Sequence, residues 1–168
     1  AITGAASGIG SVIADELSSM GARVAICDKD AERLQAFAAD HEDIFASVGN
    51  VSNETDVIDF FSGVEAKLGG LDALINNAGI AGPMTNLEKF NFADWQETIS
   101  VNLNGAFLCS KEAIPMLRTA GGGSIINIGS TSSFFGTPLR SAYSATKWAL
   151  IGLTKTWAME YGHENIRV

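Results

Sequence analysis

The sequence predicts an α/β fold, a doubly wound parallel sheet with helices on both faces in three α/β/α layers. Short and almost wholly apolar runs alternate with longer stretches of helical periodicity, which is typical of buried parallel strands joined by helices. The 168 residues include 18 glycines and only three prolines. Turns can therefore interrupt the chain regularly while long helices remain possible.

The predicted elements follow one another in a regular order. A short strand opens the chain, and further strands are predicted at 24–27, 71–75 and 124–128. Helices are predicted at 8–20, 31–41, 54–68, 94–119 and 141–161. Asp30 and Asn53 are suitable N-caps, and Gly21 and Gly69 are suitable helix stops. The segment 81–91, which contains Pro83, is predicted to be a loop.

Composition excludes several classes of partner. Apolar residues make up 46% of the chain and charged residues 18%, which is enough apolar surface for a core. Because 19 acidic residues oppose 11 basic ones and no basic cluster occurs, nucleic acid is not expected as a partner. No apolar run approaches the length of a membrane span, so no membrane association is expected. Cys27 and Cys109 lie far apart in apolar runs, which predicts free buried thiols and a reducing, cytoplasmic location.

A glycine-rich segment, Thr3-Gly4-Ala5-Ala6-Ser7-Gly8-Ile9-Gly10, joins the opening strand to the first predicted helix. Glycines let the backbone approach a diphosphate without an intervening Cβ. The helix N-terminus offers that anion free N–H groups and a partial positive charge. The spacing is G-x-x-x-G-x-G rather than G-x-G-x-x-G, and glycines needed only for packing are the alternative explanation. The segment favours a dinucleotide site.

Asp28 ends the next predicted strand, 18 residues beyond Gly10. A carboxylate in this position accepts hydrogen bonds from the ribose hydroxyls of the adenosine half of a dinucleotide. It would also repel a 2′-phosphate, so NAD is expected over NADP, and the adjacent Lys29 is expected to point the opposite way. The alternative role is to cap the following turn, which Asp30 could do equally well.

Tyr143 and Lys147 stand at the head of the last predicted helix, and their i,i+4 spacing places both side chains on one face. A tyrosine hydroxyl has an ordinary pKa of about 10, too high for acid–base work at neutral pH. A lysine cation lowers that pKa, but a decrease of ~3 units requires about 4 kcal/mol. A second cation, such as an oxidised nicotinamide ring, is expected to contribute. An ordinary surface pair is the alternative.

Ser130 lies thirteen residues before Tyr143, just past a predicted buried strand. A serine hydroxyl there can donate a hydrogen bond to a carbonyl oxygen that gains negative charge. A nucleophilic serine is the alternative, and only His41 and His163 could act as its base. His41 precedes an ordinary loop, and His163 follows the long helix that begins near Tyr143. Serine-hydrolase chemistry is therefore disfavoured.

Together and in this order, these residues resemble the short-chain dehydrogenase/reductase family. The matching positions also include Asn76-Asn77-Ala78-Gly79 and Asn102 within Val101-Asn102-Leu103-Asn104-Gly105, and they extend over the whole chain. The resemblance implies a Rossmann-type fold that binds NAD(P) at the carboxyl ends of the strands. It also implies an oxidoreductase that transfers a hydride between NAD and a secondary alcohol or ketone.

The resemblance assigns roles to individual residues. Tyr143 is expected to exchange a proton with the substrate oxygen, and Lys147 to lower the pKa of Tyr143 and bind the nicotinamide ribose. Ser130 is expected to hold the substrate carbonyl, and Asn102 to anchor a water in a proton relay. The residues expected to contact the cofactor are Gly4, Ser7, Gly8, Ile9, Gly10, Asp28, Asn50, Val51, Asn77, Ala78, Gly79, Tyr143 and Lys147.

The sequence departs from the family pattern in two ways. Asn50 stands where many members have an aspartate, although its amide oxygen can still accept from the adenine amino group. The chain ends at Val168, where the family continues through another strand and substrate-covering helices. We therefore expect residues 1–168 to form one dinucleotide-binding catalytic domain that lacks most of the first strand and the carboxyl-terminal substrate lid.

Two hypotheses of different classes compete. An oxidoreductase needs Ser130, Tyr143 and Lys147 together, whereas a non-catalytic dinucleotide-binding or assembly module does not. Their joint presence favours the enzyme, with an inactive fragment of such an enzyme as a further alternative. The substrate is expected to be a small alcohol or ketone whose shape is set by residues 81–91 and 131–140, and no metal is expected. The apolar circumference of 142–159, including Trp148 and Trp157, and the resemblance predict a homodimer or homotetramer of the full-length protein; packing by a carboxyl-terminal segment is the alternative.

Overall fold

A computed structural model describes residues 1–168, which form one six-stranded sheet and six α-helices. The strands are β1 (Ile2–Thr3), β2 (Ala25–Asp28), β3 (Phe45–Val48), β4 (Ala73–Asn76), β5 (Gly123–Asn127) and β6 (Ile166–Arg167). The helices are α1 (Gly8–Ser19), α2 (Ala31–Ala39), α3 (Glu54–Leu68), α4 (Phe92–Ile99), α5 (Gly105–Thr119) and α6 (Ser141–Tyr161).

All strand pairs are parallel, and the strand order is β3-β2-β1-β4-β5-β6. In the register, Ile2 of β1 lies opposite Ile26 of β2 on one side and Ile75 of β4 on the other. The strands that follow β1, β2 and β3, therefore lie on one side of β1, and the later strands β4 to β6 lie on its other side. Such a reversal opens a crevice at the carboxyl ends of the two strands, where ligands bind in α/β sheets. The predicted doubly wound parallel sheet is confirmed.

The core occupies both faces of the sheet because successive strand side chains point to opposite faces. In β2, Ala25 and Cys27 belong to a cluster of 16 buried residues that also includes residues of α3 and α5. Ile26, between them, belongs to a second cluster of nine buried residues on the α1 and α2 side. This double burial explains why Ala25, Ile26 and Cys27 of β2 form a continuous apolar run.

Several element boundaries match the sequence-based prediction. Helices α3 and α6 have the predicted bounds, Asp30 and Asn53 accept hydrogen bonds from the first turns of α2 and α3, and Gly69 ends α3 in the left-handed conformation. Cys27 and Cys109 are free and buried as predicted. No helix combines the length and the apolar composition needed to cross a bilayer.

Two predictions of secondary structure need correction. The continuous helix predicted at 94–119 is instead α4, a π-helical segment Ser100–Asn104, and α5. Strands β3 and β6 were not predicted, because β3 is a four-residue strand of mixed polarity and β6 has only two residues. Both are found at the ends of the sheet, where pairing with one neighbour defines them.

Candidate active site

A cavity of about 480 Å³ lies along the carboxyl edge of the sheet. Eleven of the residues singled out from the sequence line it: Gly4, Ser7, Ile9, Asp28, Asn50, Val51, Asn77, Ala78, Gly79, Tyr143 and Lys147. Gly8, Gly10, Asn102 and Ser130 are not part of its wall. The fold thus gathers segments that are far apart in the chain around one elongated space.

Eight further residues complete the wall: Cys27, Lys29, Gly49, Ile80, Ala81, Val101, Ile128 and Gly129. Four of them, Cys27, Lys29, Gly49 and Gly129, lie at or just after a strand end beside a residue that the sequence singles out, and this position was the available signal. Lys29 lines the same cavity as Asp28. The entry of Ile80 and Ala81 depends on the path of the loop after β4, which no local pattern predicts.

Hydrogen bonds join the loops that follow β1 and β4. The side-chain Nδ2 of Asn77 donates to the carbonyl oxygens of Thr3 at 3.0 Å and Gly4 at 2.8 Å. In return, Thr3 Oγ1 accepts from the backbone N–H groups of Asn77 at 3.2 Å and Ala78 at 3.1 Å. Asn77 therefore fixes the width of the crevice, and its amide nitrogen is already used by the protein.

The glycine-rich turn has the geometry of an anion cradle. Gly4 has a φ of +64°, and a Cβ there would lie 2.7 Å from the Cα of Ala78. Gly8 also has a positive φ, of +63°, but a Cβ there would meet no atom within 4 Å. Ser7 precedes α1 without a side-chain capping bond, so the first N–H groups of α1 remain free for a diphosphate. Gly10 instead serves close packing, since its Cβ would lie 2.5 Å from Asn77 Nδ2.

Asp28 is held by two backbone groups. Its Oδ2 accepts from the N–H of Ala6 in the glycine-rich turn, and its Oδ1 accepts from the N–H of Asp30, both at 3.0 Å. The capping role that the sequence left open belongs to Asp30, which accepts from Arg33 N at 3.1 Å. The Asp28 carboxylate therefore has a fixed orientation and retains lone pairs that can accept hydroxyl groups.

Asn50 is also fixed, but in a way that differs from the sequence-based expectation. Its Oδ1 accepts from the backbone N–H of Ser52 at 3.0 Å and from the hydroxyl of Ser52 at 2.8 Å. Its backbone N–H donates to Asp56 Oδ2 at 2.9 Å. Because both lone pairs of the amide oxygen are taken, this oxygen is not available to accept from an adenine amino group.

Lys147 is a buried cation next to Tyr143. Its side chain is only 6% exposed, and its Nζ donates to the carbonyl oxygen of Ile128 at 2.6 Å. Nζ lies 5.7 Å from the centre of the Tyr143 ring, and both residues line the cavity. Burial lowers the pKa of the Lys147 ammonium group. The two remaining N–H groups of Nζ are free to bind a hydroxyl or to stabilise negative charge.

Ser130 is preorganised by the short 3-10 helix Thr131–Ser133. Its Oγ accepts from the N–H of Ser132 at 3.1 Å, and its own N–H donates to Ser133 Oγ at 3.1 Å. The hydroxyl proton of Ser130 is not donated to any protein atom. The residue after Ile128 and Gly129 of the cavity wall thus carries a hydroxyl that can donate to a ligand.

Asn102 joins three parts of the structure beneath the cavity. Its Oδ1 accepts from Ile80 N at 2.7 Å, and its Nδ2 donates to Ile80 O at 2.9 Å and to Thr146 Oγ1 at 3.2 Å. Thr146 in turn donates to the Tyr143 carbonyl at 2.7 Å. Asn102 therefore links the loop after β4 to the first turn of α6, and both of its amide hydrogens are used within the protein.

The thiol and imidazole groups of the chain are not arranged for nucleophilic catalysis. Burial raises the pKa of the Cys27 thiol to about 12, and its Sγ donates to the Gly49 carbonyl at 3.5 Å. The His41 ring nitrogens contact Phe37 O at 2.9 Å and Asp15 Oδ1 at 3.0 Å. A protonated thiol and a histidine engaged elsewhere therefore disfavour nucleophilic catalysis by Cys27 or His41.

Comparison with known proteins agrees with this geometry. The family model for short chain dehydrogenases matches residues 1–168. Levodione reductase of Leifsonia aquatica is 32% identical over 99% of this chain, and trans-4-hydroxycyclohexanecarboxylate dehydrogenase of Sinomonas cyclohexanicum is 39% identical over 99%. The chain spans 65% of the length of the first relative and 68% of the second.

A solved structure extends the agreement to three dimensions. The 3-ketoacyl-(acyl-carrier-protein) reductase from Brucella melitensis, crystallised with NADH, superposes with a TM-score of 0.96 at 31% identity. The superposition covers 99% of this chain and 70% of that one. Together with the cavity at the carboxyl edge of the sheet, these matches identify the class of fold and of chemistry. The chain belongs to the short chain dehydrogenase family, whose members are oxidoreductases that bind a nicotinamide dinucleotide.

Proposed function

We propose that residues 1–168 form the dinucleotide-binding part of a catalytic domain, incomplete at the substrate side, and that the whole protein transfers a hydride between NAD and a secondary alcohol or ketone. The observation that carries the proposal is the position of Lys147, a buried cation fixed by Ile128 O and close to the Tyr143 ring in the same cavity as the glycine-rich turn. An assembly module has no use for a buried lysine, because burying a charge costs stability.

The cofactor contributes the hydride acceptor or donor, and the protein contributes position, electrostatics and the proton. Ser130 donates its free hydroxyl proton to the substrate oxygen, since its Oγ already accepts from Ser132 N. The Tyr143 hydroxyl exchanges the proton with that oxygen. The Lys147 ammonium stabilises negative charge on the Tyr143 oxygen and donates to the nicotinamide ribose. Asn102 can anchor a water of the proton relay only by accepting a hydrogen bond from it, because both of its amide hydrogens are donated elsewhere.

NAD is the proposed cofactor, with Asp28 as the ribose acceptor. The support is the fixed carboxylate, which two backbone N–H groups hold at the edge of the cavity. A 2′-phosphate at this position would meet a negative charge that cannot turn away. Gly4, Ser7, Gly8 and the first turn of α1 would hold the diphosphate.

The proposed substrate is a small secondary alcohol or ketone. Relatives named for levodione, D-threitol and 4-hydroxycyclohexanecarboxylates suggest a polyol or a ring alcohol. Two segments near the cavity are tied together, since Arg140 Nη1 donates to Ala81 O at 3.0 Å and Gly82 O at 2.7 Å. We propose that these segments, 81–91 and 131–140, shape the substrate site.

A homodimer or homotetramer is the proposed assembly. Helix α6 buries Ala142, Thr146 and Leu150 but leaves Trp148 52% and Met159 85% exposed. A large aromatic side chain half exposed on a long helix is typical of a surface that a second subunit covers. A two-fold contact along α6 would bury the same residues on both subunits.

The experiment is a spectrophotometric assay at 340 nm with NAD or NADH and a panel of ring alcohols, polyols and the matching ketones. The proposal predicts NADH formation or consumption with at least one member of the panel. NADH binding without turnover of any member would instead support a non-catalytic dinucleotide-binding module or an inactive fragment of such an enzyme. Absence of both binding and turnover would refute the proposal.

A further inference from the structure

The lining of the cavity has an order that follows from the strand order. Because the sheet runs β3-β2-β1-β4-β5, the loop after β3 lies at one end of the carboxyl edge and the loop after β5 lies toward the other. The wall therefore runs from Asn50 and Val51, past Asp28 and the glycine-rich turn, to Tyr143 and Lys147. A dinucleotide whose diphosphate lies at the turn and whose nicotinamide lies at Tyr143 has its purine base at Asn50.

Two hydrogen bonds from Ser52 determine which hydrogen-bonding groups of the Asn50 side chain remain available to a ligand. A backbone N–H can only donate, so the side-chain atom that contacts Ser52 N at 3.0 Å must be the amide oxygen. The Ser52 hydroxyl donates to the same oxygen at 2.8 Å. The amide nitrogen forms no hydrogen bond within the protein, and it is not sealed away from solvent. At this end of the cavity, Asn50 therefore presents N–H donors.

We propose that Asn50 makes the base end of the cavity a hydrogen-bond donor site, so that the chain binds a nicotinamide dinucleotide carrying a 6-oxopurine more tightly than one carrying adenine. The inference rests on the proposed nicotinamide-dinucleotide site. Adenine presents an amino donor at position 6, which would face the N–H groups of Asn50 without forming a hydrogen bond. On this edge adenine offers an N–H group only its N7 acceptor beside that amino donor, whereas a 6-oxopurine offers acceptors at both position 6 and N7.

The preference for a 6-oxopurine depends on the fixed orientation of the Asn50 side-chain amide. Turning the amide by 180° would bring N–H groups against the N–H of Ser52, so the side chain cannot simply exchange its two ends to suit adenine. Asn50 is also held through its backbone, since its N–H donates to Asp56 Oδ2 at 2.9 Å. A single neutral hydrogen bond gained or lost corresponds to about threefold to tenfold in affinity.

The test compares NADH with reduced nicotinamide hypoxanthine dinucleotide, which has an oxo group in place of the amino group at purine position 6 and a proton on N1. Their dissociation constants for the protein are measured by isothermal titration calorimetry under the same conditions. The hypoxanthine dinucleotide is expected to bind about threefold to tenfold more tightly. Equal affinities or tighter binding of NADH would overturn this inference while leaving the proposed function intact. Failure of both ligands to bind would overturn the two together.

Three variants identify Asn50 as the cause. Asn50→Asp keeps one oxygen on Ser52 and turns a carboxylate oxygen toward the base, so the preference should shift toward NADH by about tenfold or more. Asn50→Ala, which adds no charge near Asp56, should bring the two dissociation constants together. Ser52→Ala keeps the backbone N–H on Asn50 and is the matched control, in which the wild-type preference should persist. An unchanged preference in Asn50→Ala would overturn the assignment to Asn50.

Discussion

Replacement of Asp28 by alanine tests two functions of one carboxylate. In the structure, Asp28 accepts from the N–H groups of Ala6 and Asp30, both at 3.0 Å, and its remaining lone pairs are the proposed ribose acceptors. If Asp28 only selected between cofactors, its loss would release NADPH binding and leave the glycine-rich turn unaffected. Because it also holds Ala6, its loss should loosen the turn that binds the diphosphate of either cofactor.

The expected magnitudes follow from these bonds. Hydrogen bonds to a charged group contribute about 1.5–3 kcal/mol each, so losing one ribose contact should weaken NADH binding by about 10- to 150-fold. Ala6 is 8% exposed, and an unsatisfied N–H there should lower the free energy of unfolding by about 1–3 kcal/mol. The preference for NADH over NADPH, expected to be about tenfold or more in the wild type, should shrink without NADPH reaching the wild-type affinity for NADH.

Three measurements check this prediction: calorimetric titration with NADH and NADPH, thermal unfolding, and hydrogen exchange at the Ala6 amide in the free protein. Exchange at Ala6 should become faster in Asp28→Ala. Asp30→Ala is the matched control, because it removes the same charge and the α2 cap, worth about 1 kcal/mol, but should leave the NADH to NADPH ratio unchanged. Unaltered protection of Ala6 and wild-type NADH affinity in Asp28→Ala would refute the reasoning.

Two further predictions concern pH and assembly. The Phe37 carbonyl and Asp15 raise the pKa of His41, so its protonated ring stabilises the fold fully below about pH 6.5, and this contribution is lost as the pH rises through the raised value. His41→Gln should therefore lower the free energy of unfolding more at about pH 5.5 than at about pH 8.5, by up to about 1 kcal/mol. Thermal denaturation at the two pH values measures this difference, and equal losses at both would contradict the prediction. Light scattering should report a dimer or tetramer that Trp148→Glu converts to monomers, and a wild-type monomer at micromolar concentration would exclude the proposed assembly.

Signals within a few residues of the sequence predict helix ends and buried strands of this fold. Asn53 and Gly69 bracket α3, one accepting the first N–H groups and the other adopting the left-handed conformation at the end. Such caps act within one turn, so they can be recognised without knowledge of the tertiary structure. The alternation of Ala25, Ile26 and Cys27 between two clusters likewise explains the apolar run that predicted β2.

The interruption of the helix predicted at 94–119 illustrates what local signals omit. The π-helical segment Ser100–Asn104 contains Asn102, whose side chain pairs with the backbone of Ile80 and with Thr146. These partners are 22 and 44 residues away in sequence. No helix propensity within 94–119 reports such bonds, so the sequence predicts an unbroken helix.

At the candidate site, too, the sequence predicts some relationships between residues and misses others. Tyr143 and Lys147, four residues apart, are predicted to share a helix face, and the structure finds both in the wall of the cavity. At Asn50 the residue type alone left the donor or acceptor character open, and the sequence favoured the amide oxygen as the group that meets the base. The contact with Ser52 reverses that expectation, since hydrogen-bond partners two residues away depend on the path of the loop.

The proton-transfer role of Tyr143 is the central claim, and the most direct test compares Tyr143→Phe with Tyr161→Phe. The chain has only these two tyrosines, and both lie on α6. For a substrate found in the 340 nm assay, Tyr143→Phe should lower kcat by about 10²- to 10⁴-fold while the NADH dissociation constant stays within about threefold, and Tyr161→Phe should retain kcat. Retention of most of the wild-type kcat in Tyr143→Phe would show that another group carries the proton.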